Sequence, residues 1–396
     1  MGSMIRSAIR DILPDITEIR RDLHAHPELG YQEERTAGVV RRELAASGVQ
    51  FVEGLAKGTG TLGYLPATRP GGRCIALRAD MDALPIVEET GLPYASQNSG
   101  RMHACGHDGH TSMLIGAARV LARQEDRAND VLFMFQPAEE GGAGGMRMVE
   151  DGSLDGSRIG RAADAVYGLH GFPNADVGHF TSRPGPLMAS ASSFEIVVYG
   201  RGAHAAYPHV GIDPIVVTAH LVTALQTVAS RTIGPLENVV VTVGKIDAGV
   251  AHNVIPEKAR MWGTLRTLDA GVEARAKERL ESIVTHTALA FGAEAEMIWG
   301  DNPYPAVVND PAATDRFFSV ARNTFGDERI HLEPEPSMGG EDFSFYGLIA
   351  PACFFFLGIR PPGQEHYANL HSPVFDFNDA ALPYGMEALV ALANEG

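Results

Sequence analysis

The sequence predicts an α/β protein in which a twisted mixed sheet flanked by helices forms one domain and a smaller α+β domain is inserted into it. Three observations carry this prediction. Strand and helix patterns alternate through the first half of the chain, the pattern becomes antiparallel in character near residue 185, and alternation resumes from about residue 297. Alternating strands and helices are typical of a largely parallel sheet covered by helices.

The first half supplies the elements of the main sheet. Apolar residues at helical spacing predict two amphipathic helices, over 5–25 and 33–47. Short apolar runs predict three strands, over 73–79, 130–136 and 164–171. A further helix is expected over about 109–123, with Asp108 as its candidate N-cap. These elements form successive strand–helix–strand units.

A second domain is expected after a Pro- and Gly-rich stretch at 183–186. Its expected strands are 192–200, 238–249 and 258–267, and its expected helices are 213–230 and 271–291. This compact group spans about 110 residues, which is near the usual size of a domain. We therefore expect 1–185 and 297–396 to form one discontinuous domain and 186–296 to form a satellite domain. A linear division would leave the last 100 or so residues as a small orphan.

Composition and charge exclude several classes of protein. Of the 396 residues, 45% are hydrophobic and 20% are charged, which is typical of a globular protein rather than a disordered one. The net charge of −17 disfavours binding to nucleic acid or to an anionic membrane. No apolar run reaches the roughly 18 residues of a membrane helix, and the N-terminus has no apolar secretory core. Three cysteines indicate a reducing compartment, with the cytoplasm as the expectation.

Cysteine and histidine are concentrated in residues 103–111, which read HACGHDGHT. If this segment is extended, Cys105 and His107 point the same way and can aim at one metal ion, with Gly106 relieving the bend. The N-terminus of the following helix would also favour a thiolate. From these residues alone, a metal site and a plain loop with a buried cysteine are equally supported.

Two adjacent carboxylates, Glu139 and Glu140, follow the apolar strand expected at 130–136. Enzymes of the α/β class place their ligands at this end of the strands. Because neighbouring side chains diverge, one carboxylate can bind a metal while the other holds a water as general base. For an isolated pair of glutamates a solvated acidic turn is the better interpretation, but the apolar strand before this pair and the glycines after it weaken that alternative.

Other candidate ligands also lie where strands end. Asp80 and Asp82 follow the strand at 73–79, where an aspartate binds a metal directly, orients a ligating histidine or simply caps a loop. His170 and His371 are each, taken singly, more typical of structural histidines. Together, a cysteine, histidines and carboxylates suit zinc or manganese better than calcium or magnesium, which prefer oxygen ligands throughout.

The motifs taken together resemble those of one family. They occur in this order: LHAHPEL, HACGHDGHT, FQPAEEGG, GLHG, GAHAAYPH, HNVIPEKARMWGTLRT, GGEDFSFY and NLHSPVF. This set, spanning about 20–375, resembles the dinuclear metallo-aminoacylases related to carboxypeptidase G. Within them it is similar to the branch that holds hippurate hydrolase and the plant indoleacetyl-amino-acid hydrolases. The resemblance implies a catalytic domain with a mixed twisted sheet and an inserted satellite domain, as read above.

The resemblance also implies a set of metal ligands. Cys105 would bridge two divalent metal ions as a thiolate, and four residues would complete the coordination: His107, Glu140, His170 and His371. Manganese or zinc is expected, with cobalt and nickel as alternatives. Other branches carry histidine at position 80 and aspartate at position 105, so the Asp80 and Cys105 of this chain fit the hippurate hydrolase branch and leave the role of Asp80 open.

Further roles follow from the same resemblance. Glu139 would be the general base, and Asp82 would orient the ligands behind it. His204 would donate to the developing oxyanion from the satellite domain of a partner subunit, which implies a homodimer through that domain. Asn253 and Arg266 would grip the substrate carboxylate, for which an arginine fork is well suited.

The function implied is metal-dependent hydrolysis of the amide of an N-acyl amino acid, such as a hippurate-like or N-acetyl compound, by attack of a metal-activated water. A metallo-dipeptidase or carboxypeptidase on the same fold is the near alternative. A thiol hydrolase with Cys105 as nucleophile is a further alternative, and its activity would resist chelation. A non-catalytic binding module is disfavoured, because the expected base Glu139 and all the expected ligands are present. No serine-hydrolase or phosphate-loop motif occurs in the sequence.

Overall fold

The computed structural model describes residues 2–395, and this part of the chain separates into two compact units. The first unit contains 2–187, Val308–Glu335 and 342–395, and the second contains Met188–Val307 and Pro336–Glu341. Within the described residues, no helix combines the length and the apolar character needed to cross a bilayer.

The helices are α1 (Gly2–Ala25), α2 (Glu34–Ala46), α3 (His107–Ala122), α4 (Gly144–Glu150), α5 (Pro214–Leu225), α6 (Ala270–Ala290), α7 (Pro311–Phe325), α8 (Ser344–Gly347) and α9 (Leu382–Ala393). The strands are β1 (Gln50–Leu55), β2 (Gly60–Leu65), β3 (Cys74–Asp80), β4 (Asp130–Gln136), β5 (Ala165–Asp176), β6 (Phe180–Ser182), β7 (Gly185–Met188), β8 (Ser192–Tyr199), β9 (Ala203–His204), β10 (Val239–Ala248), β11 (Val254–Ile255), β12 (Lys258–Thr267), β13 (Glu294–Trp299), β14 (Val307–Asn309), β15 (Ile330–Leu332) and β16 (Ala352–Arg360).

The first unit is built on an eight-stranded mixed sheet in the order β1-β2-β4-β3-β5-β16-β6-β15. The central strands β4, β3, β5 and β16 run parallel to one another, whereas β1 and β2 join one side as antiparallel neighbours. Every residue of β3 is buried. Continuous burial is expected of central parallel strands, because helices cover both faces of such a sheet.

The helices of the first unit pack through faces set by their apolar spacing. In α1 the side chains of Ile5, Ile9, Ile12 and Ile16 recur every three or four residues, and all four are buried. Helices α1, α3 and α9 contact one another, and α3 also contacts β3. Nearly every residue of α3 is therefore buried. Burial of one such isoleucine side chain contributes about 1.5–3 kcal/mol to folding.

The start of α3 differs from the expectation. Asp108 is not the N-cap, because the helix already begins at His107 and is preceded by Gly106 in a left-handed conformation (φ 84°). Asp108 lies instead in the first helical turn, where a carboxylate interacts favourably with the helix dipole. Its side chain is 2.8 Å from His24 Nδ1 and 3.4 Å from Arg20 Nη1, which joins the start of α3 to α1.

The second unit contains a four-stranded antiparallel sheet in the order β10-β12-β8-β13. Helices α5 and α6 contact each other and the central strand β12. Each helix is capped by an aspartate, since Asp213 accepts the N–H of Ile215 and Asp269 accepts the N–H of Val272. The helix expected over 213–230 ends at Leu225 and is followed by a π-helical turn at Val228–Thr232.

The second unit extends past the expected limit of residue 296. Strand β13 pairs along its whole length with β8, so residue 297 falls inside a strand of this sheet. Residues Pro336–Glu341 also belong to the unit, because the N–H of Ala189 donates to carbonyl oxygens of Ser337 and Gly339. Sequence periodicity does not show such pairing between distant segments.

Candidate metal centre

Two loops with carboxylates begin side by side in the first unit. Strand β3 ends at Asp80, which lies opposite Gln136 at the end of the parallel strand β4. Asp82 follows two residues after the first strand end, and Glu139 follows three residues after the second. The parallel register therefore places these acids at one edge of the sheet, as strand-end ligands of α/β proteins are placed.

His170 reaches the same edge from the interior of a strand. It was expected near a strand end, but β5 continues to Asp176. The pairing of Arg78 with Gly168 nevertheless sets His170 level with Asp80, because each lies two residues further along its strand. The prediction that the strand ends next to His170 is therefore wrong, but His170 does lie at the same edge of the sheet as Asp80.

The segment that carries Cys105 and His107 is not extended as expected. Cys105 lies in a bend, Gly106 is left-handed, and His107 is the first residue of α3. Nδ1 of His107 lies 2.9 Å from the carbonyl oxygen of Asp82, which can only accept, so in the neutral ring Nδ1 carries the proton and Nε2 keeps its lone pair. Nε2 is buried and has no hydrogen-bond partner among the described residues.

The ring of His170 is fixed in the same manner. Its Nδ1 lies 2.8 Å from the carbonyl oxygen of Gly171, so its Nε2 also keeps a lone pair. That Nε2 lies 3.4 Å from Sγ of Cys105. A carbonyl partner on the far nitrogen is the usual way in which proteins orient a histidine that ligates a metal.

His371 is brought to the centre by a backbone contact. Its N–H donates to the carbonyl oxygen of Ala104 at 2.8 Å, and its φ of 64° is left-handed. A left-handed conformation is uncommon for a residue other than glycine and marks a constrained position. Nε2 of His371 lies 3.2 Å from Oε1 of Glu140.

The five predicted ligands form two groups that share one atom. One donor atom from each of Cys105, His107 and His170 lies within 4.8 Å of the others, and the same holds for Cys105, Glu140 and His371. Sγ of Cys105 is common to both groups. Two adjacent sites with one shared ligand could hold two metal ions.

Asp82 fixes the backbone behind the two glutamates. Its Oδ1 accepts the N–H of Glu139 at 3.0 Å, and its Oδ2 accepts the N–H of Glu140 at 2.9 Å. Oδ1 also lies 3.3 Å from Nδ1 of His107. Glu139 is buried, and its Oε1 accepts the N–H of Asp342 at 3.4 Å. The carboxylate of Asp82 thus contacts both the glutamate pair and His107, which is consistent with the role expected for Asp82.

The electrostatics of the centre favour a bound cation. Burial, followed by the charges of Glu140 and Glu139, raises the pKa of the Cys105 thiol well above its usual value. Burial lowers the pKa of His107, but the carboxylates of Asp80 and Asp82 outweigh it and raise that pKa to about 10. A divalent cation would reverse both effects by favouring the thiolate and the neutral imidazole. The donors are sulfur, nitrogen and oxygen atoms, and they include a buried Nε2 without a hydrogen bond, so they fit a transition metal.

Three predicted residues lie in the second unit and are described separately. The N–H of Ala205 donates to the carbonyl oxygen of Asn253 at 3.0 Å, which places Asn253 beside His204. Nδ1 of exposed His204 accepts the N–H of Ala206 at 3.0 Å, so Nε2 carries the proton in the neutral ring. Arg266 is partly buried on β12, and no carboxylate of the described residues pairs with it.

Comparison with known proteins identifies the family. Residues 76–395 match the sequence model of Peptidase family M20/M25/M40. The chain belongs to peptidase family M20/M25/M40. The prediction of a metallo-aminoacylase-like family is thereby confirmed, and the chain is a hydrolase of the M20/M25/M40 family.

Several relatives in this family match most of the chain. N-acetyl-L-cysteine deacetylase of Bacillus subtilis is 41% identical over 366 residues, which cover 92% of this chain and 84% of that protein. Thermostable carboxypeptidase 1 of Saccharolobus solfataricus is 36% identical, with 98% of this chain and 97% of that protein covered. IAA-amino acid hydrolase ILR1-like 4 of Arabidopsis thaliana is 39% identical, with 95% and 84% covered.

A solved structure of the M20 family is also similar. It is a Bacillus subtilis protein described as a dinuclear metal binding peptidase, with a TM-score of 0.81 and 34% identity, and the match covers 97% of this chain and 98% of that one. The likeness confirms the predicted fold class, a mixed sheet flanked by helices. The names of the relatives confirm the predicted class of activity, since they include a deacetylase and an amino acid hydrolase, and the carboxypeptidase fits the alternative.

Sequence reasoning missed a buried network beside the centre of this M20 protein. Buried Arg78 donates from Nη1 to Oδ2 of Asp80 at 2.6 Å and from Nη2 to Oδ1 of Asp342 at 3.0 Å. Oδ1 of Asp80 is 2.7 Å from Nδ1 of His110, whose Nε2 accepts the N–H of Gly171 at 2.8 Å. Asp80 therefore anchors the strand ends through its contacts. The available signal was an arginine inside a strand expected to be buried on both faces, since a buried arginine needs carboxylate partners.

Proposed function

We propose that this M20 protein is a metal-dependent amidohydrolase that cleaves the amide of N-acyl amino acids to a carboxylate and a free amino acid. The observation that carries the proposal is the pair of donor groups that share Sγ of Cys105 beside the buried carboxylate of Glu139. The names of the deacetylase and of the IAA-amino acid hydrolase support an acylated amino acid as substrate.

We propose that two divalent ions are held by the two donor groups, with Cys105 shared between them. His107 and His170 would complete one group, and Glu140 and His371 would complete the other. Bound divalent ions lower the pKa of a water molecule and polarise the amide carbonyl. Manganese or zinc suits these donors, and cobalt or nickel is the alternative.

Glu139 is the proposed general base. It would accept a proton from the attacking water and return it to the leaving nitrogen. Its burial excludes competing bulk water, and the contact of Asp82 with its backbone N–H keeps the carboxylate oriented. Asp82 also holds His107, so base and ligand keep a constant relative position.

The second unit is proposed to bind substrate and to pair with a second subunit. The protonated Nε2 of His204 could donate to a developing oxyanion. Arg266 has no carboxylate partner among residues 2–395, so it could bind the substrate carboxylate together with Asn253. Strand β10 lies at the edge of its sheet and exposes Val240 and Ile246, which supports a homodimer through this unit.

A metallo-carboxypeptidase or dipeptidase is the second candidate. The carboxypeptidase relative favours it, because the same water could attack a peptide or an acyl amide.

We also propose that the enzyme is cytoplasmic, since Cys74, Cys105 and Cys353 are all free thiols.

The test is amine release from acetyl, benzoyl, succinyl and indoleacetyl amino acids and two dipeptides, with manganese- or zinc-loaded protein, with and without EDTA. EDTA-sensitive release from the acyl amino acids is expected. Release from dipeptides alone would favour the peptidase, and release that is insensitive to EDTA would favour a thiol mechanism.

The Glu139→Gln variant should bind the same amount of metal as the parent and lose turnover by about 10²–10⁴-fold. Retained turnover would remove Glu139 as the base.

A further inference from the structure

The loop that carries Glu139 has an unusual backbone at both ends. Ala138 and Ala143 both have a φ of 53°, in the left-handed region. Residues with a Cβ adopt this conformation rarely, and they keep it only where surrounding contacts enforce it. Surrounding contacts must therefore hold residues 138–143, here called the base loop.

Glu33 provides one of these contacts from outside the candidate metal centre. Its side chain is fully buried, its Oε1 accepts the N–H of Ala138 at 2.8 Å, and its Oε2 accepts the hydroxyl of Thr59 at 2.9 Å. With the two bonds to Asp82, three successive N–H groups at 138–140 each donate to a carboxylate oxygen. The base loop is thus held at every N–H from Ala138 onward to the second glutamate.

Glu33 makes this contact instead of capping its own helix. It occupies the N-cap position of α2 but makes no capping hydrogen bond with its side chain. Glu28 caps the helix in its place, since its carboxylate accepts the N–H groups of Arg35 and Thr36 at 3.0 and 2.8 Å. The carboxylate of Glu33 is therefore available to accept the N–H of Ala138 instead of capping α2.

The segment around Glu33 also touches the base loop elsewhere. The hydroxyl of Tyr31 donates to the carbonyl oxygen of Gly142 at 2.6 Å. A Cβ on Gly30 would lie 3.0 Å from Cβ of Ala138, so the two segments are in close contact there. The N–H of Ala83 donates to the carbonyl oxygen at residue 28, which ties the same segment to the loop after β3.

We propose that Glu33 is a positioning residue for Glu139, acting by holding the N–H of Ala138 and so keeping the base loop in its left-handed conformation. Tyr31 assists it at the other end of the loop. The inference rests on the proposed function in taking Glu139 as the base. Displacement of a reacting group by about 1 Å can cost about 10²-fold in rate, so the contact matters for turnover more than for substrate binding.

The first test compares Glu33→Ala with Glu33→Gln. The alanine variant should lower kcat about 10–100-fold while KM changes less than about 3-fold. The glutamine variant keeps an oxygen for the N–H of Ala138 and an amide that can donate to Thr59, so its kcat should stay within about 3-fold of the parent. Loss of rate in both variants would overturn a role through this hydrogen bond, as would full activity of the alanine variant.

Glu43→Ala is the matched control. Glu43 is also a buried glutamate, lies on α2 and pairs with Arg119. It should lower the unfolding temperature without a comparable loss of kcat. An equal loss of kcat in Glu43→Ala and Glu33→Ala would mean that general destabilisation is the cause, and would overturn the proposal.

Hydrogen exchange of the peptide that spans 137–143 separates this inference from the proposed function. Exchange there should be faster in Glu33→Ala than in the parent or Glu43→Ala, even if no N-acyl amino acid proves to be a substrate. Tyr31→Phe, which removes one hydroxyl, should give a smaller increase in the same peptide and covers the case in which Glu33→Ala does not fold. Unchanged exchange in the variants that fold would overturn the positioning role.

Discussion

The candidate metal centre depends on which ring nitrogen of each histidine carries the proton. His107 and His170 both direct Nδ1 to a backbone carbonyl, so their neutral rings have a lone pair on Nε2. His110 has both ring nitrogens occupied, by Asp80 and by a backbone N–H, although it lies in the same motif. The residue type therefore does not distinguish a candidate ligand from an anchor, whereas the hydrogen-bond partners do.

Removing the shared thiol should reduce metal binding. Cys105→Ala takes one donor from both groups at once, so we expect the metal content to fall from two ions per chain toward one or none. Cys353→Ala is the control, since Cys353 is also buried but contacts Ser182 instead of the centre. Elemental analysis of both variants after metal loading measures the effect, and two ions in Cys105→Ala would refute the shared thiolate.

Arg266 offers a test of substrate recognition. Because no carboxylate within residues 2–395 neutralises it, its guanidinium can pair with the carboxylate of a substrate. Arg266→Ala should raise KM by about 10-fold or more for substrates with a free carboxylate, which corresponds to about 1.4 kcal/mol or more. The matched C-terminal amides should be affected little. Equal losses with acid and amide would contradict the role.

At the scale of elements, helix α1 is joined to the start of α3 by buried charges. Arg20 and His24 on α1 both contact Asp108, and Arg20 also pairs with Asp376 and Asp379. Burial lowers the pKa of His24, but the charge and hydrogen bond of Asp108 outweigh it and raise that pKa to about 9. Folding therefore favours the protonated form of this histidine.

Stability should consequently depend on alkaline pH. A pKa raised above the unfolded value contributes stability that is complete below about pH 6.5 and is lost as the pH rises through about 9. The loss from His24 is on the order of 3 kcal/mol. Denaturant unfolding between pH 7 and 10 should show a steeper decline in the parent than in His24→Gln. His286→Gln, at an exposed histidine of α6, should follow the parent. Parallel curves for parent and His24→Gln would exclude this linkage.

At the scale of the whole molecule, the net charge of −17 is accompanied by a local excess of buried acids at the candidate centre. Asp80 is balanced by Arg78, whereas Glu139 and Glu140 lie beside a thiol and histidines. Bound cations would therefore stabilise the folded chain by binding to it and not to the unfolded chain.

Removal of metal should lower the unfolding temperature. At a metal concentration 1,000 times Kd, the stabilisation lost is about 4 kcal/mol. Chelation should thus lower Tm by several degrees, and manganese or zinc should restore it. Magnesium should restore it less, because it prefers oxygen ligands. Calorimetry with parallel metal analysis measures this, and an unchanged Tm after verified metal removal would contradict a stabilising centre.

Much of the fold could be predicted because local pattern determines it. The strands near 73–79 and 130–136 and the main helices are present at nearly the expected bounds, since apolar periodicity reflects which face is buried. Contacts between distant segments were not predictable in this way. The N-cap at Asp108 was wrong because Gly106 turns the chain earlier, and the strand end near His170 was wrong because β16 pairs with β5 beyond that point.

The sequence by itself determined the family, the alternating elements and the identity of the candidate ligands, because motifs and periodicity are local properties of the chain. Only the tertiary structure decided how those residues meet. It placed Sγ of Cys105 in both donor groups, bound Asp80 to Arg78, and set Glu33 against Ala138 from 105 residues away. The reason is physical: strand register and left-handed turns decide which buried polar atoms find partners, and both depend on contacts between segments far apart in sequence.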